Sequence, residues 1–142
     1  MAIFRFPSRP RPARRPGIEV EITREPVGVV AAITPWNFPL AIPAWKIAPA
    51  LACGNCVVFK PAELVLASPW TLTDIIQRAG LPPGVLNLVM GPGETVGAAL
   101  AASPDIDAVS FTGSQEVGPS VAAAASPASA FTKILDELLA PR

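Results

Sequence analysis

Apolar and polar residues alternate once near the start of the chain, and then give way to apolar blocks set between loops. "IEVEITRE" (18–25) places apolar side chains at every second position, the period of a half-exposed strand. "VGVVAAI" (27–33), "CVVF" (56–59), "VLNLVM" (85–90) and "DAVSF" (107–111) are short and nearly continuous, as strands buried on both faces are. Stretches with a helical period fall between them. The first covers 40–52, with Pro43 near its start and a kink expected at Pro49. The second covers 68–79, with Ser68 as N-cap, Pro69 in the first turn and Gly80 as C-cap. Two more are expected over 94–102 and 114–125. Strands that alternate with helices predict an α/β fold, a Rossmann-like parallel sheet with helices on both faces.

In such sheets ligands sit beyond the carboxyl ends of the strands. Four loops fall there: "TPWNFP" after 27–33, "KPAE" after 56–59, "GPGETVG" after 85–90 and "TGSQEVG" after 107–111. Gly91, Gly93 and Gly97 are spaced one residue off the usual dinucleotide fingerprint, and a tight turn explains them equally well. Ser114 opens a helix whose free N–H groups suit a pyrophosphate, or it is an ordinary N-cap. Lys60 and Glu63 end a buried strand together, where they suit ribose hydroxyls or form an exposed ion pair.

Composition narrows the chemistry. The 142 residues are 51% hydrophobic, ample for one core, yet no uninterrupted apolar run approaches a membrane span. The zero net charge hides a basic leader, residues 1–17, with Arg5, Arg9, Arg11, Arg14 and Arg15 and no acid. Its four prolines rule out an amphipathic helix and it has no apolar signal core, so it is read as disordered, with neither nucleic acid nor membrane as partner. The absence of histidine removes Ser-His-Asp and Cys-His catalysis and most zinc sites, so no metal is expected. The two cysteines, in "CGNC" (53–56), follow a helix rather than open one. Gly54 and Asn55 read as its C-cap, and the thiols as buried small hydrophobes. Without a signal peptide or a disulfide pattern, the cytoplasm is the expected compartment.

Together, "EPVGVVAAITPWNFPLAIPAWKIAPALACGNCVVFKPAE", "GLPPGVLNLVMGPGETVG" and "DAVSFTGSQEVG" resemble, in order and spacing, the coenzyme-binding half of the aldehyde dehydrogenase superfamily. Within it they look most like the semialdehyde branch, the enzymes acting on 2-oxoglutarate semialdehyde. The resemblance implies NAD, or alternatively NADP, as cofactor, a small aldehyde as substrate and homo-oligomers in the family that this chain is not expected to preserve. It implies that Asn37 in "PWNFP" donates to the aldehyde oxygen and stabilises the oxyanion formed on thiolate attack. It implies that Ile33, Thr34, Pro35 and Trp36 line the cofactor channel and that Lys60 and Glu63 hold the adenosine ribose. Gly93, Gly97, Phe111, Gly113 and Ser114 would lie along the adenine and pyrophosphate.

The departures set a limit. The family's cysteine nucleophile lies beyond Arg142, and Cys53 and Cys56 do not match it. Where the family carries "ELGGK" with its general base, this chain reads "KILDELLAPR", and Glu137 aligns only loosely. The chain is therefore expected to be an incomplete domain: leader 1–17, partial coenzyme domain 18–125 and divergent tail 126–142. Two functions stay open: an aldehyde dehydrogenase fragment inactive alone, or a non-catalytic nucleotide-binding or scaffold module.

Overall fold

The computed structural model describes residues 24–125, together with the backbone of 11–12, 19–20 and 133–134. Two short strands, β1 (Arg11–Pro12) and β2 (Glu19–Val20), pair antiparallel, so part of the leader read as disordered is in a ladder. Of the predicted strand 18–25, Glu19 and Val20 are in a strand among the described residues. Residues 21–23 lie outside the described residues, and Arg24 and Glu25 are exposed and irregular.

The central sheet is built as the apolar blocks require. Its strands are β3 (Val29–Ile33), β4 (Cys56–Lys60), β5 (Leu86–Leu88), β6 (Ala108–Phe111) and β7 (Lys133–Ile134), all parallel, in the order β5-β4-β3-β6-β7. β7 falls in the tail expected to diverge, and pairs Ser110 with Lys133 and Phe111 with Ile134. Helices α1 (Ala41–Ala52) and α2 (Ala67–Arg78) cover one face, α3 (Ala98–Ala102) and α4 (Gly118–Ala124) the other. On the first face Ala32, Val57, Phe59 and Leu86 pack on Ile47. On the second, Ala31, Ile33, Val109 and Phe111 pack on Ala101 and Val121. Alternation of side chains along β3 and β4 gives both faces an apolar layer, as a sheet buried on both sides needs. No helix among the described residues is long and apolar enough to cross a membrane.

Several boundaries differ from the sequence reading, each for a visible reason. α1 runs on through Pro49 to Ala52 and ends in a Schellman motif: Gly54, at φ +86°, donates to Leu51 and Asn55 donates to Ala50. α2 starts at Ala67, with Leu66 before it, so Ser68 is inside the helix and caps nothing. Pro69 keeps its place in the first turn, and Gly80, at φ +101°, follows the end. The helix expected over 94–102 begins as one π-helical turn, Gly93–Gly97, that leads into α3. The helix expected from Ser114 begins only at Gly118. The Ser114 carbonyl accepts from both Val117 and Gly118, which closes a tight turn first.

Candidate functional site

The strand order reverses at β3. β4 and β5 extend the sheet to one side of it, β6 and β7 to the other, so the carboxyl ends of β3 and β6 form a switch point. There the ladder continues one step past the strands, with Thr34 N–H donating to Lys60 (3.2 Å) and Thr112 N–H to Ile33 (3.0 Å). A cavity of about 580 Å³ opens at this edge, on the α3–α4 side. Four residues singled out in the sequence line it: Ile33, Gly93, Gly97 and Phe111. Ala101, Val117 and Val121 complete a largely apolar wall, and Glu94, Glu116 and Ser120 stand around it. The volume lies within the roughly 300–1,000 Å³ of small-molecule pockets.

Two glycines shape the site by lacking a Cβ. At Gly113 a Cβ would lie 3.0 and 3.1 Å from two ring carbons of Phe111 and closer still to the third, so the ring folds back over this residue. At Gly93 a Cβ would lie 3.9 Å from Lys60 Nζ, so the glycine loop runs close to the end of β4. Glu63 fixes that approach by accepting from Gly93 N–H at 3.1 Å. Lys60 is buried at 4% exposure. Burial pushes its ammonium below the ordinary lysine value, and the Glu63 carboxylate pulls it the other way. Lys60 and Glu63 thus both reach the Gly93 loop, the lysine buried and the carboxylate exposed.

The "TPWNFP" loop leaves β3 at the same edge. Thr34 is buried, Pro35 and Asn37 are half-buried, and Trp36 is 59% exposed. Among the described residues, the buried side-chain polar atoms without a partner are Thr34 Oγ1 and Asn37 Oδ1. The Asn37 side-chain oxygen is therefore buried without a partner, in a residue that is half-buried overall. Ser114 is exposed, in the turn before α4 rather than on a helix start, which withdraws the helix-dipole argument made for it. Cys53 and Cys56 are free and lie between α1 and the amino end of β4, the opposite edge of the sheet. Glu137 lies outside the described residues.

Two features went unread in the sequence, the contact made by Lys46 and the reach of the Asn55 side chain. Lys46, on α1, is 8% exposed and donates to Ser110 Oγ on β6 at 2.8 Å. Burial lowers its pKa from 10.5 to about 8. The available signal was its isolation, since it is the sole charge between Glu25 and Lys60. Asn55 is a clamp as well as part of a helix end. Its Oδ1 accepts from Val27 (2.7 Å) and Gly28 (3.1 Å), and its Nδ2 donates to Ala50 (2.9 Å).

A model of the aldehyde dehydrogenase family matches residues 5–139. The chain belongs to the aldehyde dehydrogenase family. Retinaldehyde dehydrogenase 3 of Rattus norvegicus is 57% identical over 102 residues, 72% of this chain and 20% of that protein. The alpha-ketoglutarate semialdehyde dehydrogenase of Haloferax volcanii is 51% identical over 109 residues, 77% of this chain and 23% of that protein. A betaine aldehyde dehydrogenase point mutant from Staphylococcus aureus, solved in complex with NAD+, superposes with a TM-score of 0.73 at 39% identity, over 89% of this chain and 26% of that one. The chain thus spans about a fifth to a quarter of the length of these relatives. The family match extends into both the leader and the tail, beyond residues 17–125 that carry the motifs. The Rossmann-like parallel sheet expected from the sequence is the fold of this family's solved members.

Proposed function

We propose that this chain is the coenzyme-binding part of an aldehyde dehydrogenase, and that it holds NAD at the carboxyl edge of β3 and β6. The observation that carries the reading is the cavity at the switch point, walled by Ile33, Gly97 and Phe111, with Lys60 and Glu63 assembled beside Gly93. The residues present fit that cofactor. The apolar wall suits a flat heterocycle, and the Lys60–Glu63 corner offers a donor and an acceptor to ribose hydroxyls. When bound, NAD supplies a hydride acceptor. The chain's own contribution is to bind and orient it, and to aim the Asn37 amide from a loop stiffened by Pro35 and Pro39 toward an aldehyde oxygen.

A semialdehyde is the finer part of the reading, supported by the quoted motifs and the Haloferax volcanii relative. A nucleotide-binding role without aldehyde oxidation is the second reading. It is favoured by one feature: both thiols of the described residues sit at the edge of the sheet away from Asn37. The coenzyme reading is tested by following NADH fluorescence as the chain is titrated in, then adding AMP. Saturable binding reversed by AMP is expected, because the adenosine half would occupy the cavity. Binding that AMP leaves untouched would place the nucleotide elsewhere.

A further inference from the structure

The cavity between α3 and α4 has a polar rim of one kind. Its floor is the sheet, through Ile33 and Phe111. One wall carries Glu94, Gly97 and Ala101, and the other Val117, Val121 and Ala124, each set spaced as one face of a helix is. The polar side chains that line the cavity are Glu94, Glu116 and Ser120. All three are exposed, so they stand at its mouth rather than in its depth. Glu94 lies in the turn that leads into α3 and Glu116 in the turn before α4, and the cavity brings them to one opening. Among the described residues that line it, none is basic. The mouth therefore accepts hydrogen bonds through two carboxylates and repels a negative group. The Lys60–Glu63 corner, which suits a sugar, adjoins Gly93 beside it.

We infer that this cavity chooses among purine nucleotides by the 6-position of the base, taking an amine there and rejecting a carbonyl, with Glu94 and Glu116 making the choice. This rests on the reading that the adenosine half of NAD occupies the cavity, and adds what fixes the base. Adenine carries an N–H donor group at that position, whereas hypoxanthine, like guanine, carries a carbonyl oxygen that only accepts. An amine placed in the apolar depth of the slot would be left unsatisfied, which costs more than a made bond contributes. Turned to the mouth it donates to a carboxylate, in a charge-assisted bond, while the faces of the ring stay on the apolar walls. A carbonyl oxygen turned the same way meets two negative groups. Turned inward, it loses its water without gaining a partner. The N1–H of hypoxanthine offers a donor in partial return, which holds the difference to roughly tenfold, the scale of one hydrogen bond to a charged group.

The test compares AMP with IMP, which differ only along this edge of the base. Each is titrated calorimetrically into the folded chain, and NADH fluorescence is followed on the same sample. AMP is expected to bind roughly tenfold more tightly than IMP. In the double variant Glu94→Gln, Glu116→Gln that gap should close to about threefold or less, because a carboxamide can turn its NH2 to a carbonyl oxygen as readily as its oxygen to an amine. IMP affinity should rise while AMP affinity falls, a reversal that loss of folding does not produce. A wild-type chain that binds AMP and IMP within about twofold, or binds neither, would overturn the inference, whether or not the variant folds. A double variant that folds and keeps the full gap would overturn it as well. Selective AMP binding by a chain that takes up no NADH would sink the coenzyme reading alone. NADH binding by a chain that takes AMP and IMP alike would sink this one alone.

Discussion

Replacing Gly113 with alanine should damage the nucleotide site through a ring that the new methyl never lets settle. The added Cβ would lie 3.0 and 3.1 Å from Cε2 and Cε1 of Phe111 and closer to Cζ, against an ordinary carbon–carbon contact of about 3.5–4.0 Å. The clash is with the far edge of a side chain, so the ring is what gives way. Phe111 is 5% exposed, packed against Ile33 and Val121, and forms part of the cavity wall. A ring displaced from that layer costs about 1–3 kcal/mol of overpacking, which in a domain of this size lowers Tm by about 5–20 °C. The displaced ring also has an open space beside it, the cavity, so nucleotide affinity should fall at least tenfold. Gly97→Ala is the matched control. Nothing lies within 4 Å of its Cβ and its backbone is helical, so the same methyl should stabilise by about 0.5–1 kcal/mol while narrowing the cavity. Thermal melts and NADH titrations of both variants decide the matter. A Gly113→Ala chain that melts with the wild type and binds NADH within twofold of it would refute the reasoning.

Other outcomes follow from the same contacts. Asn55→Ala removes the acceptor of Val27 and Gly28 and should cost about 2–4 kcal/mol by urea denaturation, with a change under 1 kcal/mol counting against the clamp. Lys46 has its folded value, about 8, below the ordinary 10.5, so between those values the unfolded chain binds the extra proton and stability rises with pH. The rise is up to about 3 kcal/mol, and Lys46→Met should abolish it. NAD+ should bind more tightly than NADP+, because a 2′-phosphate would meet the Glu63 carboxylate. Glu63→Gln should narrow that difference in calorimetric titrations. This chain alone, given NAD+ and a semialdehyde, should produce no reduced cofactor by absorbance. Asn37 stabilises only an oxyanion that some nucleophile has made, and removing a nucleophile costs several powers of ten.

What the sequence disclosed and what it hid divide along local and distant causes. The blocks 27–33, 56–59 and 107–111 became β3, β4 and β6 because a strand buried on both faces leaves an unbroken apolar run. The carboxyl-edge loops were legible for the same reason, and with them Ile33, Gly93, Gly97 and Phe111 at the cavity. Ser114 was misread because an N-cap residue and a turn residue look alike one at a time. The choice between them rests on carbonyl bonds to Val117 and Gly118. Partners far apart in the chain were beyond reach. Lys46 finds Ser110 across 64 positions, Asn55 finds Val27 across 28, and Asp107 accepts from Val29 at 2.8 Å across 78. Each bond pins a strand or a helix end, and none has a periodicity to betray it. The late start of β3 fits these bonds, since Asn55 takes the N–H groups of Val27 and Gly28 before the strand and Asp107 takes that of Val29, its first residue.

The central claim is that the carboxyl edge of β3 and β6 holds NAD in the cavity between α3 and α4. Calorimetric titration of NAD+ into the wild-type chain and into Ala101→Trp, which fills the cavity from α3, tests it most directly. One saturating site in the wild type, lost in the filled variant at an unchanged circular dichroism spectrum, is the result predicted. A folded wild-type chain that takes up no NAD+, or a filled variant that binds it as well as the wild type, would contradict the claim.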